Sequence, residues 1–546
     1  MKTNTQGEDD MPIVKKKTME LAIKNIATHG DTDIFPYPTE NHLLHDKPQE
    51  LIGVLLDLDK NFRELVTSIP VLTSKNLSAV GYNGFRYGTQ IDPLWNTYLL
   101  ALVLTIAEDL EKKRVSNSIV FSYRYAPDLT TGSLFDKSIG WHEFQTTAIK
   151  HAQEFPFILR CDISDFYPRI YHHRLENAIK SATAKGDASQ RILELVSAIA
   201  EGPSYGLPVG GAAARILSET LLNRVDRLLI SEEIKFCRFV DDYIIFAKTK
   251  EAAHSALIKL SSLLLSNEGL SLQKTKTRIL SAAEFLATSE FSEPAEGESN
   301  EEQVARTFRR LRVHYDPYSP TAEGDYEKLK TELKKFDIVG MLARELVKSK
   351  IDEGLTKRLI SAIRHLNPAS QNEAMLSMLK SIDLLYPIFP SVMLLCKNLI
   401  PSLSSETRDA VFSTIRNLIS SDSYITQVPT NLAFALRVLV HDEKDESEVI
   451  FASVYKNTAS MLIKRDVILL MAFRRAEYWV SNCRNNFSTL TAWERRALLI
   501  ASYILRDEGS HWRDSVKKNL NPYDQLILKW TGESKTSKGH DWRVPL

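Results

Sequence analysis

The sequence predicts an α+β layer with carboxylates gathered along one edge, followed by a long all-α half. Three observations predict it. FPFILRCDI, residues 155–163, is an apolar strand run that ends in acid. KFCRFVDDYIIFA, residues 235–247, is two apolar runs joined by an aspartate pair, which reads as a hairpin with acids at its tip. From Ala305 to Trp530 nearly every segment instead carries helical spacing of its apolar residues.

In chain order, a helical pattern from Thr18 to Ala27 leads into the turn-rich HGDTDIFPYPTE. Helices are expected near Gln49–Ile69 and Pro93–Arg114. After the first strand, more helix and the hairpin comes an amphipathic helix from Glu251 to Ser266, stopped by Gly269. Two short strands, SLQ and TRILSAAEF, are expected next. The acidic, Ser-, Gly- and Pro-bearing stretch Ser289–Glu302 has almost nothing to bury and marks a boundary. About ten helical segments follow, of the repeat or bundle kind, and ESKTSKGHDWRVPL reads as a loosely ordered tail.

Composition narrows the class. A chain of 546 residues, 43% hydrophobic and 25% charged, has the length for two or three domains and a large core without staples. The N-terminus has no apolar leader-like run and no stretch long enough to span a bilayer, so no membrane role is expected. Cys161, Cys237, Cys396 and Cys483 lie far apart without metal-ligand spacing, which suits a reducing cytoplasm. Net charge is zero, yet it divides into roughly −8 before residue 303 and roughly +8 after it. The basic half could hold a phosphate backbone, though solvated helix faces give the same count and are the preferred reading.

Joining nucleotides requires a 3′-oxygen to attack an α-phosphate while pyrophosphate leaves, and two Mg²⁺ ions can stabilise both oxygens. Such hard ions want carboxylate oxygens on rigid backbone. A strand ending in Asp162 beside a hairpin tip bearing Asp241 and Asp242 meets that need. An isolated Asp-Asp pair is usually a solvated turn. Here it lies between FCRFV and YIIFA, with a second acid-tipped strand upstream.

These segments resemble the ordered motifs of reverse transcriptases. CDISDFYPRI is similar to motif A, YGLPVGGAAARILSETLLNRVD to motif B, FVDDY to motif C and GLSLQKTKTRIL to motif D. The resemblance implies two bound Mg²⁺ ions, with Mn²⁺ as a substitute. The metal set would be Asp162, Ile163, Asp241 and Asp242, with Asp162 and Asp241 binding and Asp242 supporting. Asp165 is the competing acid of motif A, three positions on and on the opposite strand face. For nucleotide binding the resemblance implies Tyr167 as steric gate, Gly210 and Gly211 at the close backbone approach, and Lys276 at the pyrophosphate. Arg124 in VFSYRY would hold the triphosphate. Each has a plainer reading: a core aromatic, an ordinary turn, a solvated lysine, and an arginine paired with a structural carboxylate.

Val209 replaces the usual Gln of motif B, and Phe239 and Gln273 also depart from the common pattern. With HGDTDIFPYP and SYRY, these features resemble the abortive-infection reverse transcriptases of bacteria, the AbiK-type group. That implies fingers and palm over residues 1–290, an acidic linker over 291–302, and a helical-repeat (HEAT-like) domain over 303–546 in place of a thumb. It further implies an antiphage DNA polymerase that uses dNTPs and forms homo-oligomers. Some members of that group make DNA from a protein hydroxyl without a template, whereas other defence enzymes copy a noncoding RNA. A mobile-element enzyme and a catalytically idle scaffold for RNA or protein are the competing readings.

Overall fold

A computed structural model describes residues 12–32, 34–289, 300–311, 329 and 331–546. The chain is mixed α/β over its first half and all-α after it, as expected from fingers and palm followed by a helical-repeat region. Most of the acidic stretch Ser289–Glu302 lies outside the described residues. Among the described residues no helix is long and apolar enough to cross a membrane.

Two compact units form, and neither follows the chain continuously. The first draws on Met1–Thr32, Pro48–Thr73 and Ile91–Glu298; the second on Asp33–Lys47, Ser74–Gln90 and Ser299–Leu546. The hairpin of β1 (Thr73–Val80) and β2 (Gly84–Ile91), which the apolar pattern did not suggest, thus lies almost wholly in the second unit. Its inward residues are polar: Ser74, Asn76 and Ser78 are buried while Phe85 and Tyr87 are exposed.

In the first unit, β3 (Tyr125–Asp128) and β4 (Ser133–Phe135) make a small ribbon. The main sheet contains β5 (Phe157–Asp162), β6 (Lys235–Phe239), β7 (Asp242–Ala247) and β8 (Arg278–Ser281) in the order β6-β7-β5-β8, antiparallel throughout. β5 and β7 are its centre. Ile158, Cys237, Ile244 and Phe246 pack with Phe144, Ala148 and Ala152 of helix Trp141–Ala152 and with Phe285. Helix Lys250–Leu263 packs against β5 and β7. Both central strands therefore carry runs of buried apolar residues, Ile158–Leu159 in β5 and Tyr243–Ala247 in β7, which is why they read so clearly in the sequence.

Three expectations are corrected here. SLQ makes only an isolated bridge, Ile163 to Leu272, and the TRILSAAEF strand stops at Ser281. Ser281 and Glu284 form a reciprocal cap that turns the chain into helix Ala282–Thr288. The expected helix Gln49–Ile69 is two, Pro48–Lys60 and Phe62–Ser68.

In the second unit alternate helices stack in series. Ile338–Leu346 packs on Pro368–Lys380, that on Ser405–Ser420, and onward through Pro429–Leu439, Met461–Phe473, Ala492–Ala501 and Pro522–Lys538. The tail is not loose, a further correction. Trp542 and Val544 are buried, and the Pro545 carbonyl accepts from Thr39 Oγ1 at 2.9 Å. Apolar anchors in a short polar segment hold it.

Candidate active site at the sheet edge

Strand register assembles the acids. Asp162, last residue of β5, stands directly opposite Asp242, first residue of β7. Asp241 occupies the turn between β6 and β7, and its carbonyl accepts from Ile163 N at 3.2 Å. The Ile163 side chain is buried, so only its backbone could serve a ligand. Asp165 sits one turn away in left-handed backbone (φ 50°), exposed and facing Arg169 at 3.4 Å.

The turn is held from behind. Val240, with φ 54°, donates its N–H to Ser122 Oγ at 2.9 Å, and its carbonyl accepts from Arg238 Nη1 at 2.7 Å. Arg238 is fully buried, with Nη2 at 2.6 Å from Asp226 and 3.0 Å from Glu219. Arg114 Nη2 meets Glu219 at 2.6 Å, and the Tyr243 hydroxyl donates to Asp226 at 3.0 Å. Both acids come from helix Ala212–Ser231, seven residues apart and so on one face. This buried network escaped the sequence reading. Its signal was a charged residue inside each of three apolar segments, around Glu219, Asp226 and Arg238.

Electrostatics set Asp241 and Asp242 apart. Burial first, then Asp242 and Asp162, push the Asp241 carboxyl up to about 7. Burial and Asp162 push Asp242 up to about 6. Like charges crowd one strand edge and lack a full counter-charge. Lys276 supplies part of it, with Nζ 2.7 Å from Asp162 Oδ2. Burial opposes the charge on this lysine, but the hydrogen bond and fields of the acids hold its pKa above the usual lysine range. Among the described residues no three such side chains are gathered closely enough to hold an ion between them. The donors are nevertheless hard carboxylate oxygens with unneutralised charge and one already attracting a cation, which fits a divalent ion in chemistry.

The remaining expected site residues fall as follows. Tyr167 is half-buried; its hydroxyl meets Ser218, and its carbonyl accepts from Leu207 N at 2.9 Å. Gly210 has φ 101°, a conformation that suits glycine, and Gly211 caps helix Ala212–Ser231. Arg124 is engaged with Glu111 at 2.6 Å and the Val115 carbonyl at 2.9 Å. The four cysteines are free and buried.

Residues 110–310 match the family described as reverse transcriptase (RNA-dependent DNA polymerase). The chain carries a reverse-transcriptase-like domain. The matched span holds the whole main sheet and all three aspartates. Among solved structures, apo telomerase from Candida tropicalis is similar at 10% identity and TM-score 0.29, over 70% of this chain and 74% of that one. Telomerase from Candida albicans, in complex with a fragment of telomeric RNA, is similar at 13% identity and TM-score 0.29, over 66% of each. Neither likeness is close enough to speak for function. No curated protein matches the chain.

Proposed function

We propose that the chain is a DNA polymerase of the reverse-transcriptase type that transfers nucleotides from dNTPs at Asp162, Asp241 and Asp242. The single observation that supports this most is the crowding of three carboxylates at one sheet edge inside a reverse-transcriptase-like domain. Like charges kept together at a cost mark a candidate functional site, and a bound cation would relieve that cost.

In this reading Asp162, Asp241 and the Ile163 backbone hold two Mg²⁺ ions, or Mn²⁺ in their place, with Asp242 supporting. The ions, when bound, polarise the attacking 3′-oxygen and the departing pyrophosphate. The chain's own groups do the rest. The Arg238 network keeps the Val240–Asp241 turn rigid. Tyr167 restricts the sugar, and Gly210 and Gly211 admit the nucleotide against the backbone. Lys276 gives counter-charge or a proton to the pyrophosphate as the bond from the α-phosphorus to its bridging oxygen breaks. Arg124 serves the triphosphate by leaving its bond to Glu111.

We further propose the defence role of the AbiK-type group, supported by SYRY and the altered motif B. That role includes homo-oligomer formation and synthesis from a protein hydroxyl without a template. The test is incubation of purified protein with Mg²⁺ and each labelled dNTP, no nucleic acid added, followed by denaturing gels with and without protease. Label retained on the protein, and absent in Asp241→Ala, is the expected result. Loss of label after RNase treatment points instead to a copied noncoding RNA. Incorporation unchanged in Asp241→Ala overturns the assignment of the site.

A further inference from the structure

A second site lies among three helices of the first unit. A cavity of about 510 Å³ is lined by the end of helix Pro93–Lys113, one face of helix His172–Ala182 and one face of helix Ala212–Ser231. Arg174, Asn177, Ala178 and Ser181 recur at helical spacing on its second wall, and Thr220, Arg224, Arg227 and Leu228 on its third. Its volume is that of a small-molecule site.

The lining is divided by chemistry. Leu110, Ala178, Leu221 and Leu228 give apolar surface suited to a flat ring. Arg174 and Arg224 line the cavity close enough for their charges to act on Glu268, and neither guanidinium makes a hydrogen bond among the described residues. Arg227 spends one N–H on the Lys113 carbonyl at 2.6 Å and keeps others. Against these cations stands one acid. Glu268 is only 4% exposed, and its carboxylate has no hydrogen-bond partner among the described residues. Burial pushes its pKa up, opposed only by the fields of Arg224 and Arg174. Glu268 lines the cavity, so its carboxylate is free to accept N–H donors from a ligand that enters there.

We propose that this cavity binds a guanine nucleotide, with the ring N–H groups on Glu268 and the phosphates on Arg174, Arg224 and Arg227. A carboxylate accepts two parallel N–H bonds, which guanine offers from N1 and N2 and adenine does not. Forked guanidinium groups suit phosphate oxygens. Bare phosphate would satisfy the arginines and leave Glu268 as it is. The site is separate from the carboxylate edge and does not depend on the polymerase reading.

The test uses the full chain carrying Asp241→Ala, with EDTA present so that metal-dependent nucleotide loading at the sheet edge is suppressed. Equilibrium binding of GTP, GDP, ATP and tripolyphosphate is read by calorimetry. The expected result is saturable GTP and GDP binding, at least tenfold tighter than ATP. Arg224→Ala, at an exposed position, is expected to weaken GTP at least tenfold. Glu268→Gln should bring GTP and ATP to within about twofold, with an unchanged circular dichroism spectrum. Equal binding of GTP, ATP and tripolyphosphate, or none at millimolar concentration, would overturn the proposal. So would GTP binding insensitive to Arg224→Ala and Arg174→Ala together.

Discussion

Asp241 is raised to about 7 because burial and two neighbouring carboxylates oppose its ionisation. The sign of the consequence is fixed. Its folded pKa lies above the unfolded value of 3.8, so the folded state holds a proton that the unfolded state releases between those limits. Stability therefore falls as pH rises from about 4 to about 7, and the loss is complete above the folded value. Asp241→Asn is expected to stabilise the metal-free protein by on the order of 2 kcal/mol at pH 8 and hardly at all at pH 4. Thermal melts of both proteins at the two pH values, with EDTA, check this; equal Tm shifts at both would contradict it. Arg238 works in the opposite direction. Arg238→Met leaves Asp226 buried without its guanidinium and Glu219 with that of Arg114 alone, and is expected to cost about 3–5 kcal/mol in urea unfolding. Asp162, Asp241 and Asp242 were legible because each acid adjoins a long apolar run. Arg238 was not, since the sequence gives no way to pair it with acids on a helix.

Strands β5 and β7 were legible because most of their residues are apolar and buried, Arg160 being the one exposed position among them. The β1–β2 hairpin was not, for a physical reason: its buried positions are Ser74, Asn76 and Ser78, so the alternation runs polar-inward. Tertiary hydrogen bonds replace apolar burial there, as where Asn76 Oδ1 accepts from Ser460 Oγ at 2.7 Å and the Leu77 carbonyl from Thr430 Oγ1 at 3.1 Å. The segment after Gly269 shows the same economy. With one isolated bridge it still supports the end of β5, since Gln273 N donates to the Asp162 carbonyl at 2.7 Å and Ser164 N to the Ser271 carbonyl at 2.8 Å. Gln273→Pro removes the first of these. The expected stability loss is about 1–2 kcal/mol, while nucleotide incorporation falls at least tenfold because Asp162 and Lys276 lose their common support. Activity reduced only in proportion to the folded fraction would show that this segment does not position the site.

At the scale of the molecule, a break in composition located the acidic stretch but could not reveal that two earlier segments fold with the helical stack. Helix Thr39–Asp46 puts Glu40, 3% exposed, 4.0 Å from both Arg465 and Arg496. Both guanidiniums are buried; Arg465 also meets Asp466 at 2.9 Å and Arg496 meets Asp524 at 3.0 Å. Asp46 accepts from Trp530 Nε1 at 2.8 Å, and the Tyr82 hydroxyl donates to the Leu384 carbonyl at 2.7 Å. A fragment of residues 303–546 would therefore expose the surfaces that Leu43 and Leu44 cover and leave excess buried positive charge. It is expected to be poorly soluble and to melt without a cooperative transition. The full chain carrying Glu40→Gln keeps the packing and loses only the charge, so it should melt cooperatively at a lower temperature. Circular dichroism melts of the three proteins separate the contributions. If the isolated fragment melts as sharply and at the same temperature as the full chain, the early segments are dispensable to the stack, and its stability resides in the helical series alone.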